Sequence, residues 1–386
     1  MQMRILHIVE VLHVDGRTTL LRDLIRSGQF AAEHAVLCLK FPGPVADDFS
    51  RLGVRVLALG LNRPFHDFAQ KIAAIASASK FKPDVCLCWS GGANLLSVVP
   101  WLVRTPVIWT IHNSFEKWQG QAKRLGITVL ARLSGTVPYR VVCCSQATER
   151  VYRMLHRFNS RRLTTIENGV NTTKFRPDAA SRRQVRSSLG IAEDQVVVAT
   201  AARMSDPAYR NQGDSKDLDT LFSAVRIACR QRSDLRFIMF GTNIDEANLE
   251  LVGLIREMQI EPFVMLLGFR KDVPDLLAAA DLYAMSSVSE GLPLALIEAM
   301  SCGLIPVCTD AGGIRDAVAD LGVIVPQKDG AALAEAILKV ANMETKDRRR
   351  QSAALVEHVS SHFSIEQVAE RYRNLIYAAV GERFKA

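Results

Sequence analysis

The sequence predicts an α/β protein with two doubly wound parallel sheets, and three features support this prediction. Short apolar runs alternate with amphipathic stretches along the chain, which is the pattern of βαβ units. The runs are rich in β-branched residues and apolar on both faces, as strands covered by helices are. With 386 residues and 48% apolar content, the chain is long enough for two complete cores.

Seven strands are predicted in the front half of the chain. They are Arg4–Leu12, His34–Leu39, Val54–Leu59, Asp84–Cys88, Val107–Ile111, Arg140–Cys144 and Leu163–Ile166. Helical patterns separate these runs, so we expect parallel strands joined by crossover helices. Residues 1–172 are therefore predicted to form one Rossmann-like domain.

The composition of the chain changes after Gly169, where the stretch FRPDAASRRQVRSSLG has few apolar residues. We place the domain boundary within Val170–Pro177. Six further strands follow, at Gln195–Ala201, Arg236–Phe240, Val264–Leu267, Leu282–Met285, Ile305–Cys308 and Val323–Pro326. They predict a second doubly wound domain over residues 173–364. A helix at about 365–386 is either a simple terminal helix or one that packs back on the first domain.

Charge is shared unevenly between the two halves. Residues 1–170 contain 22 Lys and Arg against 11 Asp and Glu, a net charge of +11, whereas the remainder has 26 against 29, or −3. A basic front half suggests an anionic partner, for which nucleic acid and an anionic membrane surface both qualify. No nucleic-acid-binding motif accompanies this charge, so we expect no nucleic acid. The basic segment Phe115–Leu133 is either a helix that lies on such a membrane or a solvated amphipathic helix.

Cysteine spacing and hydropathy indicate the compartment. The eight cysteines show neither a disulfide framework nor a zinc pattern, so we expect reduced thiols and a cytoplasmic protein. No apolar run approaches the roughly 18 residues of a membrane span. The N-terminus has the pattern of a first strand and lacks that of a signal peptide. Any membrane contact is therefore expected to be peripheral, at the inner face.

A strand–loop–helix corner in the back half carries the strongest chemical signal. Glu290 lies in a turn before Gly291, and a helix that begins near Leu294 carries Glu298. The start of a helix presents free N–H groups and a positive dipole, which suit phosphate, while carboxylates accept hydrogen bonds from sugar hydroxyls. Either glutamate alone is equally well explained as an ordinary acid near a helix start.

Two cations are predicted at the same edge of the second sheet. Arg203 directly follows the strand VVVATAA, and Lys216 opens a helix. Two fixed cations can neutralise most of the charge of a diphosphate and stabilise it as a leaving group. The alternative is that both are solvated loop residues.

The back half resembles the retaining glycosyltransferases of family 4, which have the GT-B fold. The resemblance rests on residues 268–316, with support from the join Asn168–Pro177, the segment AAR…KD and the strand end Phe240–Thr242. It implies two Rossmann-like domains that face each other across a cleft. It also implies transfer of a sugar from a UDP-, GDP- or ADP-sugar to a glycan or lipid-linked acceptor, in polysaccharide or glycolipid synthesis.

The resemblance further implies roles for single residues. Glu290 and His112 would contact the donor sugar as catalytic residues, and Arg203, Lys216 and Gly16 would hold the diphosphate. The remaining donor contacts are the backbone of Gly291, Leu292 and Leu294, the carboxylate of Glu298 at the ribose, and Phe269 and Arg270 beside the base. No cofactor and no metal are implied, because Arg and Lys supply the positive charge.

The sequence departs from the family pattern in two loops. Only Gly16 stands where two glycines are usual, and Asp15 is expected to repel a diphosphate unless Arg17 offsets its charge. The link between Arg203 and Lys216 is longer than usual, so we expect it to cover the active site or contact the acceptor.

Two other functions stay open at this point. They are a nucleotide-sugar epimerase of the same fold, and a non-catalytic relative that binds nucleotide-sugars or carbohydrates. A dehydrogenase is disfavoured because no G-x-G-x-x-G follows the first strand.

Overall fold

The structure is a computed structural model that describes residues 2–60, 81–114, 121–204 and 216–383. All thirteen predicted strands are present, and their ends differ from the predicted ones by at most three residues. The chain folds as two compact units, one made of Met1–Gly169 with Ile365–Ala386 and the other of Val170–Ser364. The predicted division of labour between an acceptor-side and a donor-side domain stays a prediction.

The first unit is built on a seven-stranded sheet. Its strands are β1 (Met3–Val9), β2 (Ala32–Cys38), β3 (Arg55–Ala58), β4 (Val85–Cys88), β5 (Val107–Ile111), β6 (Arg140–Cys143) and β7 (Leu163–Thr165). They lie in the order β3-β2-β1-β4-β5-β6-β7, and every neighbouring pair is parallel. The chain therefore reverses its winding between β1 and β4, where ligands usually bind at the carboxyl ends of strands.

Helices cover this sheet. They are α1 (Gly16–Arg26), α2 (Ala46–Arg51), α3 (Gly91–Leu96), α4 (Val98–Leu102), α5 (Gln121–Leu133) and α6 (Gln146–Met154).

The second unit repeats this architecture with six parallel strands. These are β8 (Val196–Ala201), β9 (Leu235–Phe240), β10 (Val264–Leu266), β11 (Leu282–Met285), β12 (Ile305–Thr309) and β13 (Val323–Val325). Their order is β10-β9-β8-β11-β12-β13, so the switch in winding lies between β8 and β11. Arg203 follows the first of these strands and Ser286 the second, which brings both loops to one edge of the sheet.

The helices of the second unit complete its layers, and a last helix returns to the first unit. The second-unit helices are α7 (Ala179–Ser188), α8 (Leu218–Gln231), α9 (Leu249–Glu257), α10 (Val273–Ala279), α11 (Leu294–Ser301), α12 (Ile314–Val318), α13 (Gly330–Ala341) and α14 (Thr345–His362). Helix α15 (Ile365–Arg383) shares one buried cluster with α1, in which Val368 and Tyr372 join Leu20 and Leu24.

The prediction of two doubly wound parallel sheets is confirmed. Among the helices that the structure describes, none has the length and apolar character needed to cross a bilayer.

All eight cysteines are buried free thiols. Burial raises the pKa of several of them, for example that of Cys38 to about 11.

Candidate functional site

The corner of the second unit brings a predicted cation and a predicted carboxylate together. Lys216 Nζ lies 2.7 Å from Glu290 Oε1, with 24% and 14% of the two side chains exposed. Ser287 Oγ donates a second hydrogen bond to the same carboxylate oxygen, at 2.8 Å. The Glu290 side chain is therefore held in one orientation by two donors, one just before α8 and the other just after β11.

The turn that carries Glu290 packs tightly on a neighbouring loop. Gly312 has φ +53°, and a Cβ at that position would lie 1.7 Å from the Glu290 carbonyl oxygen. The Gly313 N–H donates to the Gly291 carbonyl at 3.0 Å. Thr309 Oγ1 donates to the Ser287 carbonyl at 2.5 Å. The loop after β12 thus fixes the position of the Glu290 turn, and only a glycine at position 312 lets the two backbones come this close.

The backbone at Lys216 is tied to the same corner. Ser286 Oγ donates to the Lys216 carbonyl at 2.7 Å. Asp217 precedes α8 with φ +48°, a left-handed conformation that aspartate tolerates better than most residues. Arg203 is exposed at the end of β8. Arg203 therefore follows β8, and Lys216 is hydrogen-bonded to the residue that follows β11, so both predicted phosphate-binding cations lie at the switch point.

Helix α11 begins at Leu294, as the sequence predicts, and no side chain caps its first turn. Gly291, Leu292 and Leu294 are buried and none of them has a polar side chain, so only their backbone can contribute to ligand binding. Glu298 lies half-buried on the helix.

A buried phenol lies near both glutamates of the corner. Burial raises the pKa of Tyr283 well above its ordinary value, and the neighbouring Cys308, Glu290 and Glu298 raise it further. Both glutamates are therefore close enough to Tyr283 to influence its ionisation.

Two predicted base contacts lie after β10. Phe269 is 54% exposed. Arg270 Nε donates to Asp272 Oδ1 at 2.7 Å, and this pairing raises the pKa of the guanidinium and lowers that of the carboxyl. The charge of Arg270 is thus already balanced, which suits stacking or hydrogen bonding beside a base better than phosphate binding.

The first loop of the first unit is built around Asp15. Its Oδ1 accepts from the Thr18 N–H at 2.8 Å as the N-cap of α1, and its Oδ2 lies 3.0 Å from Arg17 NH2. Gly16 is the first residue of that helix. The repulsion expected from Asp15 is therefore largely offset, because its charge is paired with Arg17 and with the helix N-terminus.

His112 follows β5, with one ring nitrogen engaged and the other buried. Its Nε2 lies 3.0 Å from Thr110 Oγ1, and the Thr110 hydroxyl donates to the Cys88 carbonyl at 3.0 Å. Because that hydroxyl has one proton to give, it accepts from His112, which puts the imidazole proton on Nε2. Burial and, to a smaller extent, the nearby Arg17 lower the pKa of His112 to about 4, although Asp15 and Asn168 act in the opposite direction. The ring is neutral at pH 7.

His112 lines a cavity of about 460 Å³ in the first unit, together with Glu10, Arg17, Trp89 and Tyr152. The mixed lining places one carboxylate and one paired cation among apolar walls. Such a cavity suits a hydroxylated ligand with an apolar face.

Two predicted segments fall outside the described residues. The link expected to cover the site, 204–215, is described only at Met204, and 115–120 of the predicted membrane-facing segment are not described. In the described parts of the chain, no three His, Cys, Asp or Glu side chains are arranged to hold a metal ion. The use of Arg203 and Lys216 in place of a metal stays a prediction.

Sequence reasoning missed several supporting residues. Ser287 could have been inferred, because a hydroxyl three residues before Glu290 in a turn can reach its side chain. Thr309, Trp89 and Tyr283 gave no signal, because each looks like an ordinary strand or strand-end residue. Their roles depend on which strands are neighbours.

Comparison with known families assigns both parts of the chain. Residues 16–174 match the model described as Glycosyltransferase Family 4, and residues 182–355 match the model described as Glycosyl transferases group 1.

Curated relatives include enzymes from distant organisms. A phosphatidylinositol N-acetylglucosaminyltransferase subunit from Homo sapiens is 27% identical over 201 residues, 52% of this chain and 37% of the relative. UDP-Gal:alpha-D-GlcNAc-diphosphoundecaprenol alpha-1,3-galactosyltransferase from Escherichia coli is 23% identical over 258 residues, 64% of this chain and 63% of the relative. The matches thus span from about a third to less than two thirds of these relatives.

Solved structures match over nearly the whole chain. HepE from Anabaena, solved with UDP and glucose, has a TM-score of 0.84 at 19% identity and covers 98% of this chain and 100% of that one. WaaG, a glycosyltransferase of lipopolysaccharide biosynthesis, has a TM-score of 0.72 at 15% identity, with 96% and 99% covered. These likenesses show the GT-B fold. Since the two family models together span most of its length, the chain belongs to the family-4 glycosyltransferases, the glycosyl transferases group 1.

Proposed function

We propose that this chain is a retaining glycosyltransferase of the hexosyltransferase type, which moves a sugar from a nucleoside-diphosphate sugar to an acceptor hydroxyl. The donor is a UDP-, GDP- or ADP-sugar, and the acceptor is a glycan or a lipid-linked glycan. The enzyme acts in the cytoplasm at the inner face of the membrane, in the synthesis of a cell-surface polysaccharide or glycolipid.

The ion pair between Lys216 and Glu290 is the observation that carries this proposal. It lies at the switch point of the second sheet and is partly exposed. A ligand that offers an anion to Lys216 and hydrogen-bond donors to Glu290 can replace this pair without leaving either charge unpaired. A nucleoside-diphosphate sugar offers phosphate oxygens to the ammonium and hydroxyl donors to the carboxylate. Ser287 keeps the carboxylate in place during this exchange.

The surroundings of the pair support a diphosphate ligand. Arg203 is exposed at the same sheet edge, and α11 begins without a side-chain cap. Cations and helix N-termini stabilise phosphate charge. HepE was solved in complex with UDP and glucose, which supports testing UDP-sugars first.

The proposed chemistry follows from these positions. The bond between the anomeric carbon and the diphosphate oxygen breaks, and the acceptor oxygen bonds to the same face of that carbon. The proton of the acceptor hydroxyl passes to the departing phosphate oxygen, whose charge Arg203 and Lys216 stabilise. His112 is neutral at pH 7, so it contacts the sugar without supplying positive charge.

The basic charge of residues 1–170 supports an anionic acceptor or membrane for the first unit. The acceptor is assigned to the cavity beside His112, which has room for a sugar-sized group.

A thermal-shift screen with UDP-, GDP- and ADP-glucose tests the donor site. A ligand at about 100 times its dissociation constant adds roughly 2.7 kcal/mol to the free energy of unfolding, so the matching nucleotide should raise the melting temperature clearly. Glu290→Gln keeps the shape of the side chain but removes its charge. We expect it to abolish the shift and to lower release of nucleoside diphosphate by about 100-fold or more.

Glu257→Gln is the matched control, because Glu257 is exposed at the end of α9, outside the corner. It should keep both the shift and the turnover. A wild-type protein that no donor stabilises, or a Glu290→Gln variant that binds and turns over normally, contradicts the proposed function.

A further inference from the structure

A buried aromatic cluster lies behind His112 in the first unit. Trp89 and Tyr372 are each 1% exposed. The Trp89 ring stacks on His112, with centroids 5.5 Å apart and planes inclined by 10°, and it also stacks on Tyr372, at 6.1 Å and 27°. Trp89 is therefore the ring shared by the half-buried imidazole and the last helix of the chain.

Trp89 is itself held at two points. Its indole N–H donates to His7 Nδ1 at 3.2 Å, and its backbone carbonyl accepts from Arg17 NH1 at 3.1 Å. Because an indole nitrogen can only donate, His7 carries its proton on Nε2, which lies 3.0 Å from His34 Nδ1. Burial lowers the pKa of both histidines, that of His34 to about 4. This chain of neutral rings prevents the indole from turning without losing a buried hydrogen bond.

Besides the stack on Trp89, His112 is restrained by its hydrogen bond to Thr110 and by the side chain of Asn168. The bond to Thr110 acts at one ring nitrogen, and a half-turn of the imidazole about its Cβ–Cγ bond keeps the ring plane but exchanges the positions of nitrogens and carbons. The stack on Trp89 restricts the plane in either orientation, because it depends on the ring face and not on the position of the nitrogens.

We propose that Trp89, supported by Tyr372 of α15, is a positioning residue for glycosyl transfer that fixes the plane of the His112 imidazole at the wall of the cavity. The inference rests on the proposed function, in which His112 contacts the donor sugar. It also gives the terminal helix a part in the site of the first unit. An aromatic ring held in one plane keeps its exposed edge in one position against the sugar, and a misplacement of about 1 Å can cost about 100-fold in rate.

The first test needs no ligand. The ring signals of His112 are titrated by NMR in the wild type and in Trp89→Leu, Trp89→Phe and Trp109→Leu. Trp89→Leu removes the stack and admits water, so the pKa of His112 should rise from about 4 towards its ordinary 6.5, by about one unit or more. Trp89→Phe keeps a stacking ring and should leave that pKa close to the wild-type value.

Trp109 is the matched control for the loss of a large buried ring. It is 0% exposed and donates one hydrogen bond, to Ser97 Oγ at 2.7 Å, but it belongs to the buried cluster that contains neither Trp89 nor Tyr372. Trp109→Leu should therefore destabilise the first unit to a similar degree without moving the His112 titration.

The second test measures release of nucleoside diphosphate from an equimolar mixture of UDP-, GDP- and ADP-glucose, with water as the acceptor of the glucosyl group. We expect Trp89→Leu to lower kcat by about 10- to 100-fold with a small change in KM, and Trp89→Phe to restore most of it. In a His112→Ala background, Trp89→Leu should have no further effect, because it acts through the imidazole.

The outcomes separate the two proposals. If the His112 titration is unchanged in Trp89→Leu, or if Trp89→Leu lowers kcat equally in the presence and absence of His112, the positioning role is wrong. If Glu290→Gln keeps full turnover, the proposed function itself is wrong. The NMR result decides the positioning of the ring even with a donor outside this mixture.

Discussion

At the scale of single residues, Gly312 decides how closely two loops approach beside Glu290. Its φ is positive, and an added Cβ would lie only 1.7 Å from the Glu290 carbonyl oxygen, so no other residue has room there. The Glu290 side chain is then set by Ser287 and Lys216. The backbone of Glu290 is therefore positioned by packing against Gly312, and its carboxylate is oriented by two hydrogen-bond donors.

Gly312→Ala should damage donor binding as well as stability. The left-handed backbone alone costs about 1 kcal/mol for alanine, and the overlap with the Glu290 carbonyl must move the turn as well. We expect a loss on the order of 3 kcal/mol in the free energy of unfolding, measured by circular dichroism in urea, and loss of the donor-induced thermal shift.

Gly190→Ala separates the two effects. Gly190 also has a positive φ, +66°, but an added Cβ there meets nothing within 4 Å. It should cost about 1 kcal/mol and leave donor binding intact. Equal effects of the two variants would show that backbone conformation, and not the approach to Glu290, is what matters at Gly312.

At the scale of elements, a buried arginine joins α7 to the strands of the switch point. Arg186 is 1% exposed and donates to the carbonyls of Ala279 and Gln195 and to Asp281 Oδ2, at 2.9, 3.1 and 2.7 Å. The same Asp281 oxygen accepts from the Val197 N–H at 2.8 Å. Burial lowers the pKa of Arg186, and Asp281 acts in the opposite direction. This network fixes the starts of β8 and β11, whose far ends carry the site.

Arg186→Met should therefore be strongly destabilising. It removes one partner of a buried ion pair and leaves several carbonyl groups without their donor, which costs about 3–5 kcal/mol. Urea unfolding of the second unit, followed by circular dichroism, measures the loss. Arg315→Met is the control, since Arg315 pairs with Asp310 while 63% exposed, and should change stability by less than about 1 kcal/mol. A loss of similar size in both variants would contradict the role given to burial.

At the scale of the whole molecule, the chain leaves the first unit, forms the second and returns to the first with its last helix. Helix α15 leaves the second unit at Ser364 and contributes Val368, Tyr372 and Ile376 to the core of the first. All four tryptophans, Trp89, Trp101, Trp109 and Trp118, lie in the sequence range of the first unit. Tryptophan fluorescence therefore follows the unfolding of the first unit alone.

Acid should weaken the first unit through its buried histidines. The pKa of His34 and of His112 is about 4 in the folded protein, below the ordinary 6.5, and that of His7 is also lowered. The unfolded chain therefore binds more protons between pH 6.5 and 4, so the free energy of unfolding falls as the pH is lowered through this window. Its slope should be up to about 1.4 kcal/mol per pH unit for each such histidine.

His34→Gln tests this assignment. Glutamine keeps a neutral hydrogen-bonding partner beside His7 but cannot titrate, so the slope measured by tryptophan fluorescence in urea should become shallower between pH 6.5 and 4. Carboxylates titrate alike in both proteins and cancel in the comparison. An unchanged slope would sink the contribution assigned to His34.

The strands, their parallel character and the corner at Glu290 could be predicted from local patterns in the sequence. Apolar runs on both faces are typical of parallel strands between helices, and the turn before α11 is encoded by adjacent residues. These are local patterns, and local patterns are visible along the chain without any knowledge of its fold. The roles predicted for the site residues, those of Glu290 and His112 included, stay predictions.

The distant residues that support the site could be identified only from the three-dimensional fold. Lys216 contacts Glu290 across 74 positions, and Gly312 packs under the Glu290 turn. Trp89 stacks on His112, which follows the neighbouring strand, and on Tyr372 of the last helix. The order of strands in the sheet sets these neighbours, and no spacing in the sequence records it. Packing and hydrogen bonding act through space, whereas a sequence pattern shows only what lies close along the chain.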